Sequence, residues 1–217
     1  MFQLAQMQCS VRVQPKDWEK TRTQAITDEL NKKYANKILH NVGLCIQVFD
    51  LLHVTEAVVH LCQDGAYQVT ADFRLVVFRA FTGEILTGTV MSASPEDGLR
   101  ISMGFFDDIY VPLACMKPGC VYDQGEGVYV WKYEGEDLFL DRDEPIRFQV
   151  LMDDFVDVGP VAELHLAEGK ELPAPYTITA SIADDGLGLL SWWDQADEDD
   201  EAADEDAGEE EGDEEPL

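Results

Sequence analysis

The sequence predicts an α+β N-terminal unit, then an all-β barrel of five strands, then a disordered acidic C-terminal tail. Three observations support this fold class. Apolar residues recur at helical intervals only early in the chain, between residues 18 and 34. After Phe81 the pattern becomes short β-type runs, separated by glycines and Asp-Gly turns at intervals of roughly ten residues. Residues 194–217 then hold 15 of the 44 acidic residues and none of the 15 basic ones.

The first unit, residues 1–80, is predicted to run strand, helix, strand, turn, strand. The opening run MFQLAQMQCSVRV alternates as a strand does. Pro15 suits a first helical turn, and Trp18, Ile26, Leu30 and Tyr34 then recur at helical spacing, which predicts an amphipathic helix with one face on a sheet. The apolar run VGLCIQVFDLL predicts a buried strand. The turn signal QDGA separates it from a further strand, YQVTADFRLVVFRAF.

The second unit, residues 81–193, shows no helical pattern of comparable length. Its predicted strands lie in GEILTGTVMSAS, GLRISMG, DIYVP, VYVWKYE with DLFLD, IRFQVLMDDFVDV and YTITASI. Five principal strands suit an OB-type barrel, and such barrels commonly bind oligonucleotides across one exposed face. Residues 194–217 have too little apolar surface to offset the entropy of ordering them, so the tail is predicted to be disordered.

The charge distribution excludes a uniformly basic nucleic-acid binder. The formal net charge is -29. Residues 1–40 carry seven basic and four acidic residues (+3), whereas residues 41–193 carry eight and 25 (-17). The predicted helix and its flanks carry five basic residues, Lys20, Arg22, Lys32, Lys33 and Lys37. They form either a solvated face or a contact with an acidic partner or nucleic acid. The tail suggests a solubilising segment, a nucleic-acid mimic or a contact for basic transcription factors.

No signal peptide or membrane-spanning run is evident, so a soluble intracellular protein is expected. The five cysteines form an odd, scattered set, which favours reduced thiols over a disulfide framework. Cys115 with Cys120, and His60 with Cys62, lack the spacing of a zinc ribbon. No metal or cofactor is therefore predicted.

Neighbouring carboxylates raise the question of catalysis. Asp107 and Asp108 are adjacent, so in an extended strand they point to opposite faces and cannot act together on one substrate. The same holds for Asp153 and Asp154. The chain has no phosphate-binding glycine loop with its lysine, no nucleophile elbow and no His-Glu helix motif. The sequence therefore predicts no catalytic residue.

RNA binding needs exposed aromatic side chains to stack on bases and cations to follow phosphates. Continuing the alternation of GLRISMG makes Phe105 inward and Phe106 outward, and puts Asp107 on the apolar face. Because a charge is costly to bury there, the strand is expected to turn over residues 106–108. Core packing is the alternative interpretation of each aromatic, and the negative field favours weak binding. The candidates are Arg100, Phe106, Trp131, Lys132, Tyr133 and Arg147.

Two adjacent indoles, Trp192 and Trp193, end the second unit. They are costly to leave in water. We expect them to pack against the first unit or against a partner.

Five stretches identify a family: ELNKKYANKILHNVGLCIQVFD, FRLVVFRAFTGEILTG, GLRISMGFFDDIYVP, VWKYE and DDGLGLLSWW. In these stretches, which recur in order over residues 1–193, the chain resembles the larger stalk subunits of eukaryotic DNA-directed RNA polymerase III, within the archaeal and eukaryotic polymerase stalk subunit family. GFFDDI and GLGLLSWW are typical of the polymerase III version rather than its polymerase I, polymerase II or archaeal relatives.

The resemblance implies a non-catalytic subunit that forms a heterodimer with the smaller stalk subunit. Residues 1–80 would be a tip domain docking on the polymerase III core, and residues 81–193 an OB-fold barrel near the RNA exit path. It also implies a nuclear protein without membrane contact, which supports initiation at small RNA genes (tRNA, 5S rRNA), meets initiation factors and contacts nascent RNA. The implied core contact is a tip loop of Val59, His60, Leu61, Cys62, Gln63, Asp64, Gly65 and Ala66.

The tip loop departs from the family pattern, because Cys62 and Gln63 replace the usual Pro-Gly. Gly65 can still provide a positive φ. A different class of function stays open beside the stalk: a free-standing single-stranded RNA-binding regulator with the same OB barrel.

Overall fold

The computed structural model describes residues 1–59, 64–133, 135–157 and 174–193. The chain divides into two compact units, Met1–Phe81 with Asp154–Tyr176, and Thr82–Asp153 with Thr177–Leu217. The predicted disordered tail, residues 194–217, lies outside the described residues. Within them, no helix has the length and apolarity required to cross a bilayer.

The first unit is an antiparallel sheet with one helix packed on it. Strand order is β1-β5-β3-β2, and β4 also pairs with β5. Val11, Ala25, Ile26, Leu30, Val69 and Phe73 belong to the core between helix and sheet. The elements are β1 (Phe2–Val13), a 3-10 turn (Pro15–Asp17), α1 (Arg22–Tyr34), β2 (Lys37–Leu39), β3 (Gly43–Val54), β4 (Val58–Val59) and β5 (Tyr67–Phe78).

The helix begins later than predicted. Pro15 starts the 3-10 turn, and α1 begins at Arg22 with Thr21 as its N-cap. The Oγ1 atom of Thr21 accepts a hydrogen bond from the Gln24 amide (3.4 Å), which satisfies one of the amides left over at a helix start. This threonine cap, rather than the proline, sets the boundary.

Ile26 and Leu30 are buried against the sheet, as their spacing predicts. The assignment of Trp18 to the same buried face is wrong. Trp18 precedes α1 and leaves 55% of its surface exposed.

Strand β3 is more irregular than a buried strand. Its register with β5 shifts three times, between Cys45 and Gln47, Val48 and Asp50, and Leu51 and His53. Each shift is a bulge that leaves one extra residue on β3 and disturbs the alternation of side chains. Phe49 and Leu52, which fall in two of these shifts, are therefore exposed by 58% and 47%. The prediction of a continuously buried strand holds only for its first half.

The second unit contains a closed barrel of five strands, and the predicted fold class is confirmed. The strands pair in the order β13-β8-β7-β6-β12, and β12 also pairs with β13. β13 runs parallel to β8. The elements are β6 (Ile85–Ser94), β7 (Gly98–Ser102), β8 (Ile109–Val111), a 3-10 turn (Leu113–Cys115), β9 (Cys120–Asp123), β10 (Val128–Tyr133), β11 (Glu136–Leu140), β12 (Pro145–Phe155), β13 (Tyr176–Ser181), β14 (Gly188–Leu189) and a 3-10 turn (Leu190–Trp192).

The runs VYVWKYE and DLFLD lie outside the barrel. They form β10 and β11, which join β9 in a separate antiparallel sheet of order β11-β10-β9. The prediction that Trp131, Lys132 and Tyr133 are barrel residues is therefore wrong. The physical reason is that β8 already pairs with β7 and β13, so no edge of β8 is left for β10.

Candidate interaction surfaces

The predicted tip loop is described at both of its ends. Val59 is the last residue of β4 and is 62% exposed. Residues 60–63, which include the replaced Pro-Gly pair, lie outside the described residues. At the return, Gly65 has a φ of +68°, the positive value expected for it. Asp64 forms an ion pair with Arg12 of β1.

An aromatic pair lies beside the loop. The ring centroids of Trp18 and Tyr67 are 6.3 Å apart. Tyr67 is the first residue of β5, where it lies opposite Val59 on one side and Val13 on the other. Helical periodicity obscured this pair, because Trp18 fits the apolar spacing of α1 although it lies outside the helix.

The stretch ISMGFFDDIYVP contains the predicted turn, since β7 ends at Ser102 and β8 begins at Ile109. Arg100 of β7 holds this turn from one side. Its Nε donates to the Asp107 carbonyl and its guanidinium contacts the Asp108 carboxylate, both at 3.0 Å. Ser102 Oγ donates to Asp107 Oδ1 at 2.5 Å. The carboxylates of Asp107 and Asp108 are therefore both engaged in hydrogen bonds that stabilise the turn.

The two phenylalanines of this turn face opposite to the prediction. Phe106 is 5% exposed and Phe105 is 42% exposed. The reason is Gly104, whose φ of +81° interrupts the strand alternation before Phe105. The Met103 amide then donates to the Phe106 carbonyl (2.9 Å), which closes a tight loop. Phe106 is thus a packing residue.

The second unit holds a tryptophan pair of which Trp131 is the buried member. Trp131 is 9% exposed, and its ring centroid lies 5.2 Å from that of Trp192. Its Nε1 donates to the Pro118 carbonyl at 3.2 Å. Trp131 is therefore a structural residue, and the last indoles of the unit contact residues of that same unit.

A buried lysine accompanies these indoles. Lys117 is 3% exposed, and its Nζ lies 4.8 Å from the ring centre of Trp131 and 5.4 Å from that of Trp193. It donates to the Asp184 carbonyl at 3.0 Å. Burial lowers the pKa of Lys117, and the nearby Asp185 carboxylate opposes that shift. Sequence reasoning missed this lysine, because a single lysine between Met116 and Pro118 gives no signal of burial.

A second cation binds the same C-terminal segment. Arg147 of β12 donates to the Gly186 carbonyl at 3.3 Å. Arg100, Lys117 and Arg147 thus all hold groups of their own unit. Lys132 and Tyr133, at the end of β10, are exposed. Among the predicted RNA-binding candidates, these two side chains are the most exposed.

Four cysteines are described, Cys9, Cys45, Cys115 and Cys120, and all are free thiols, as predicted. Burial raises the pKa of Cys120 to about 11. Among the described residues, no group of three or more His, Cys, Asp or Glu side chains is arranged to hold a metal ion.

Comparison with known proteins shows that each of the two units matches a family model. Residues 8–68 match the model of the SHS2 domain found in the N terminus of Rpb7p/Rpc25p/MJ0397, and residues 84–193 match the model of RNA polymerase III subunit Rpc25. Bovine DNA-directed RNA polymerase III subunit RPC8 is 44% identical over 203 residues, covering 89% of this chain and 98% of the relative. The Schizosaccharomyces pombe subunit rpc8 is 39% identical over 204 residues, covering 89% and 100%. The archaeal subunit Rpo7 of Saccharolobus shibatae is 21% identical over 196 residues, covering 90% and 99%.

An SHS2 domain followed by a five-stranded barrel defines the class of Rpb7-like, non-catalytic stalk subunits of RNA polymerases. Within that class, the chain belongs to the family of RNA polymerase III subunit Rpc25.

Proposed function

We propose that this protein is the larger subunit of the RNA polymerase III stalk, paired in a heterodimer with the smaller stalk subunit and located in the nucleus. The observation that carries the proposal is the 44% identity to the bovine RPC8 subunit, which extends over 98% of that relative. An identity of this extent covers both units rather than one shared domain. The proposed role is to support initiation at tRNA and 5S rRNA genes together with initiation factors.

The proposal gives each part of the chain its own task. Residues 1–80 act as the tip domain that docks on the polymerase core. Residues 81–193, which hold the barrel and the separate β9–β11 sheet, face RNA and partners, and residues 194–217 form the acidic tail. The exposed end of β4 at Val59 and the positive φ of Gly65 support a protruding tip loop. The family models support the division, since one ends at residue 68 and the other begins at residue 84.

Contact with nascent RNA is part of the proposal, and we expect it to be weak outside the polymerase. Affinity for single strands depends on free cations and exposed aromatic faces. Arg100 and Arg147 are engaged within their own unit, and Trp131 is buried. Lys132 and Tyr133 are the proposed contacts.

Co-purification tests the function directly. Tagged full-length protein recovered from nuclear extract should bring the large RNA polymerase III subunits and the smaller stalk subunit with it. Recovery without polymerase subunits would contradict the proposal. The free-standing regulator predicts the opposite pair of results: no polymerase, and binding of single-stranded RNA by the chain alone at about 0.15 M salt.

A further inference from the structure

Trp18 is placed in an unusual way for its size. It is the sole tryptophan of residues 1–81, yet 55% of its surface is exposed to solvent. An indole is the side chain that gains most from burial, and tryptophan and tyrosine are the residues most enriched among the energetically dominant positions of protein interfaces. Its position therefore suggests contact with another protein.

Trp18 belongs to a small apolar surface. Its ring lies over Tyr67, with the two planes inclined by 34°. Tyr67 pairs directly with Val59, and residues opposite each other on neighbouring strands share a face of the sheet. Val59 is itself 62% exposed. We define the Trp18 patch as Trp18, Val59 and Tyr67.

The backbone fixes Trp18 in place. The amide of Asp17 donates to the Gln14 carbonyl (3.0 Å) and the amide of Trp18 to the Pro15 carbonyl (3.2 Å), so the indole follows directly from a closed 3-10 turn. Proline restricts φ at the first position of that turn. An anchor held in this way loses little conformational freedom on binding, which favours affinity.

The Trp18 patch is continuous with the predicted tip loop. Val59 is both a member of the patch and the first residue of the loop. The loop returns at Gly65, where a Cβ atom would lie 3.3 Å from the Cγ of Pro15, at the start of the turn that carries Trp18. A partner that contacts the loop at Val59 would therefore reach Trp18 as well.

We infer that the Trp18 patch is the apolar anchor with which the first unit docks on the RNA polymerase III core. This inference rests on the proposed function and deepens it, because it adds Trp18 and Tyr67 to a docking surface predicted only from the loop. The occupant is an apolar crevice of the core. Lys16 and Glu19 are both exposed on either side of Trp18 in the chain, so the rim of that crevice should carry charges of both signs.

The test compares polymerase recovery by tagged full-length variants expressed in cells. Trp18→Ala should lower recovery of the large polymerase subunits about tenfold while the smaller stalk subunit is recovered as by the wild type. Trp18→Phe should recover an amount of polymerase between that of Trp18→Ala and that of the wild type. Leu113→Ala is the matched control, because Leu113 is equally exposed, at 55%, but lies in the second unit. It should recover polymerase as well as the wild type.

Each alternative outcome has a definite meaning. If the wild type recovers polymerase and Trp18→Ala recovers as much, the inference is overturned and the proposed function stands. If Trp18→Ala loses the smaller stalk subunit but keeps the polymerase, the patch serves that subunit and the inference is again overturned. If the wild type recovers no polymerase, the proposed function itself fails.

A folding control separates docking from stability. Because Trp18 lies outside α1 and is more than half exposed, Trp18→Ala should leave the thermal midpoint of the first unit nearly unchanged. If that midpoint falls, Val59→Ser is the variant that separates docking from stability. Val59 is more exposed than Trp18, so its replacement should disturb the fold less. A Val59→Ser variant that folds and recovers polymerase at the wild-type level would overturn the inference.

Discussion

The ammonium group of Lys117 lies 4.8 Å from the centre of the Trp131 ring, in a site where the lysine is only 3% exposed. A cation desolvated against an indole gains on the order of 2 kcal/mol from the ring, and this offsets part of its desolvation cost. The same lysine donates to the Asp184 carbonyl. Lys117 therefore holds the segment that leads to Trp192 and Trp193 against β10.

Replacing Lys117 should separate packing from charge. Lys117→Ala leaves a cavity beside two indoles and should lower the free energy of unfolding by about 2–4 kcal/mol. Lys117→Met keeps the length of the side chain and removes the buried charge, so it should recover more than half of that loss. Urea unfolding followed by tryptophan fluorescence measures both. Equal losses in the two variants would show that the charge, not the volume, matters.

The lowered pKa of Lys117 gives a pH dependence of defined sign. The folded state binds this proton less tightly than the unfolded state, whose pKa is near 10.5. Stability should therefore rise with pH between the lowered folded pKa and 10.5. In Lys117→Met this contribution should be absent. The measurement is the difference in unfolding free energy between wild type and Lys117→Met across that window, and a difference that does not change with pH would contradict the prediction.

A close contact with Trp192 should make Gly188 intolerant of any side chain. A Cβ at Gly188 would lie 2.5 Å from the Trp192 ring, and the φ there is +112°. Gly188→Ala should destabilise the second unit by about 2–4 kcal/mol, from overpacking together with backbone strain. Gly186→Ala is the control, because Gly186 also has a positive φ (+76°) but no atom within 4 Å of the added Cβ. It should cost only about 1 kcal/mol.

A double variant tests whether the Gly188 effect is steric. In a Trp192→Ala background the ring contact is gone, so Gly188→Ala should cost less than it does in the wild type, by about 1–2 kcal/mol. Additive losses would mean that backbone strain alone accounts for the effect.

The two phenylalanines of the β7–β8 turn should differ sharply. Phe106→Ala removes a ring that is 5% exposed and should cost about 3–5 kcal/mol. Phe105→Ala should cost less than about 1 kcal/mol, because Phe105 is 42% exposed. Thermal or urea unfolding of both variants tests whether Gly104 makes Phe106, and not Phe105, the inward-facing side chain. Similar losses at the two positions would contradict it.

The ion pair between Arg74 and Asp50 should shift a titration in the first unit. The hydrogen bond from Arg74 lowers the pKa of the Asp50 carboxyl. A lowered folded pKa stabilises the protein above the unfolded pKa of about 3.8, and this contribution is lost as pH falls through the folded pKa. In Arg74→Met the pKa of Asp50 should rise toward its usual value. Carbonyl-detected NMR titration of Asp50 reports it directly, and an unchanged value would contradict the assignment.

The sequence alone predicted the parts of the fold that depend on local patterns. Alternation and turn residues located β1, β3 and β5, and the short runs after Phe81 predicted a barrel of five strands. Motifs such as GFFDDI and GLGLLSWW pointed to the polymerase III stalk family, which the family models confirm. The strands are local in the chain, so periodicity and turn residues suffice to find them, whereas the family was identified by the resemblance of its motifs.

What the tertiary structure decided is which side chains remain available for contact. One positive φ at Gly104 reversed Phe105 and Phe106, three bulges exposed Phe49 and Leu52, and the pairing of β8 with β13 excluded β10 from the barrel. Burial of Lys117 and exposure of Trp18 depend on residues distant in sequence, or on where a helix begins. Periodicity assumes an unbroken element, and the outcomes at Gly104, on β3 and at Trp18 arose where the element was broken. The sequence therefore determined the family and the fold class, and the structure determined which residues can meet a partner.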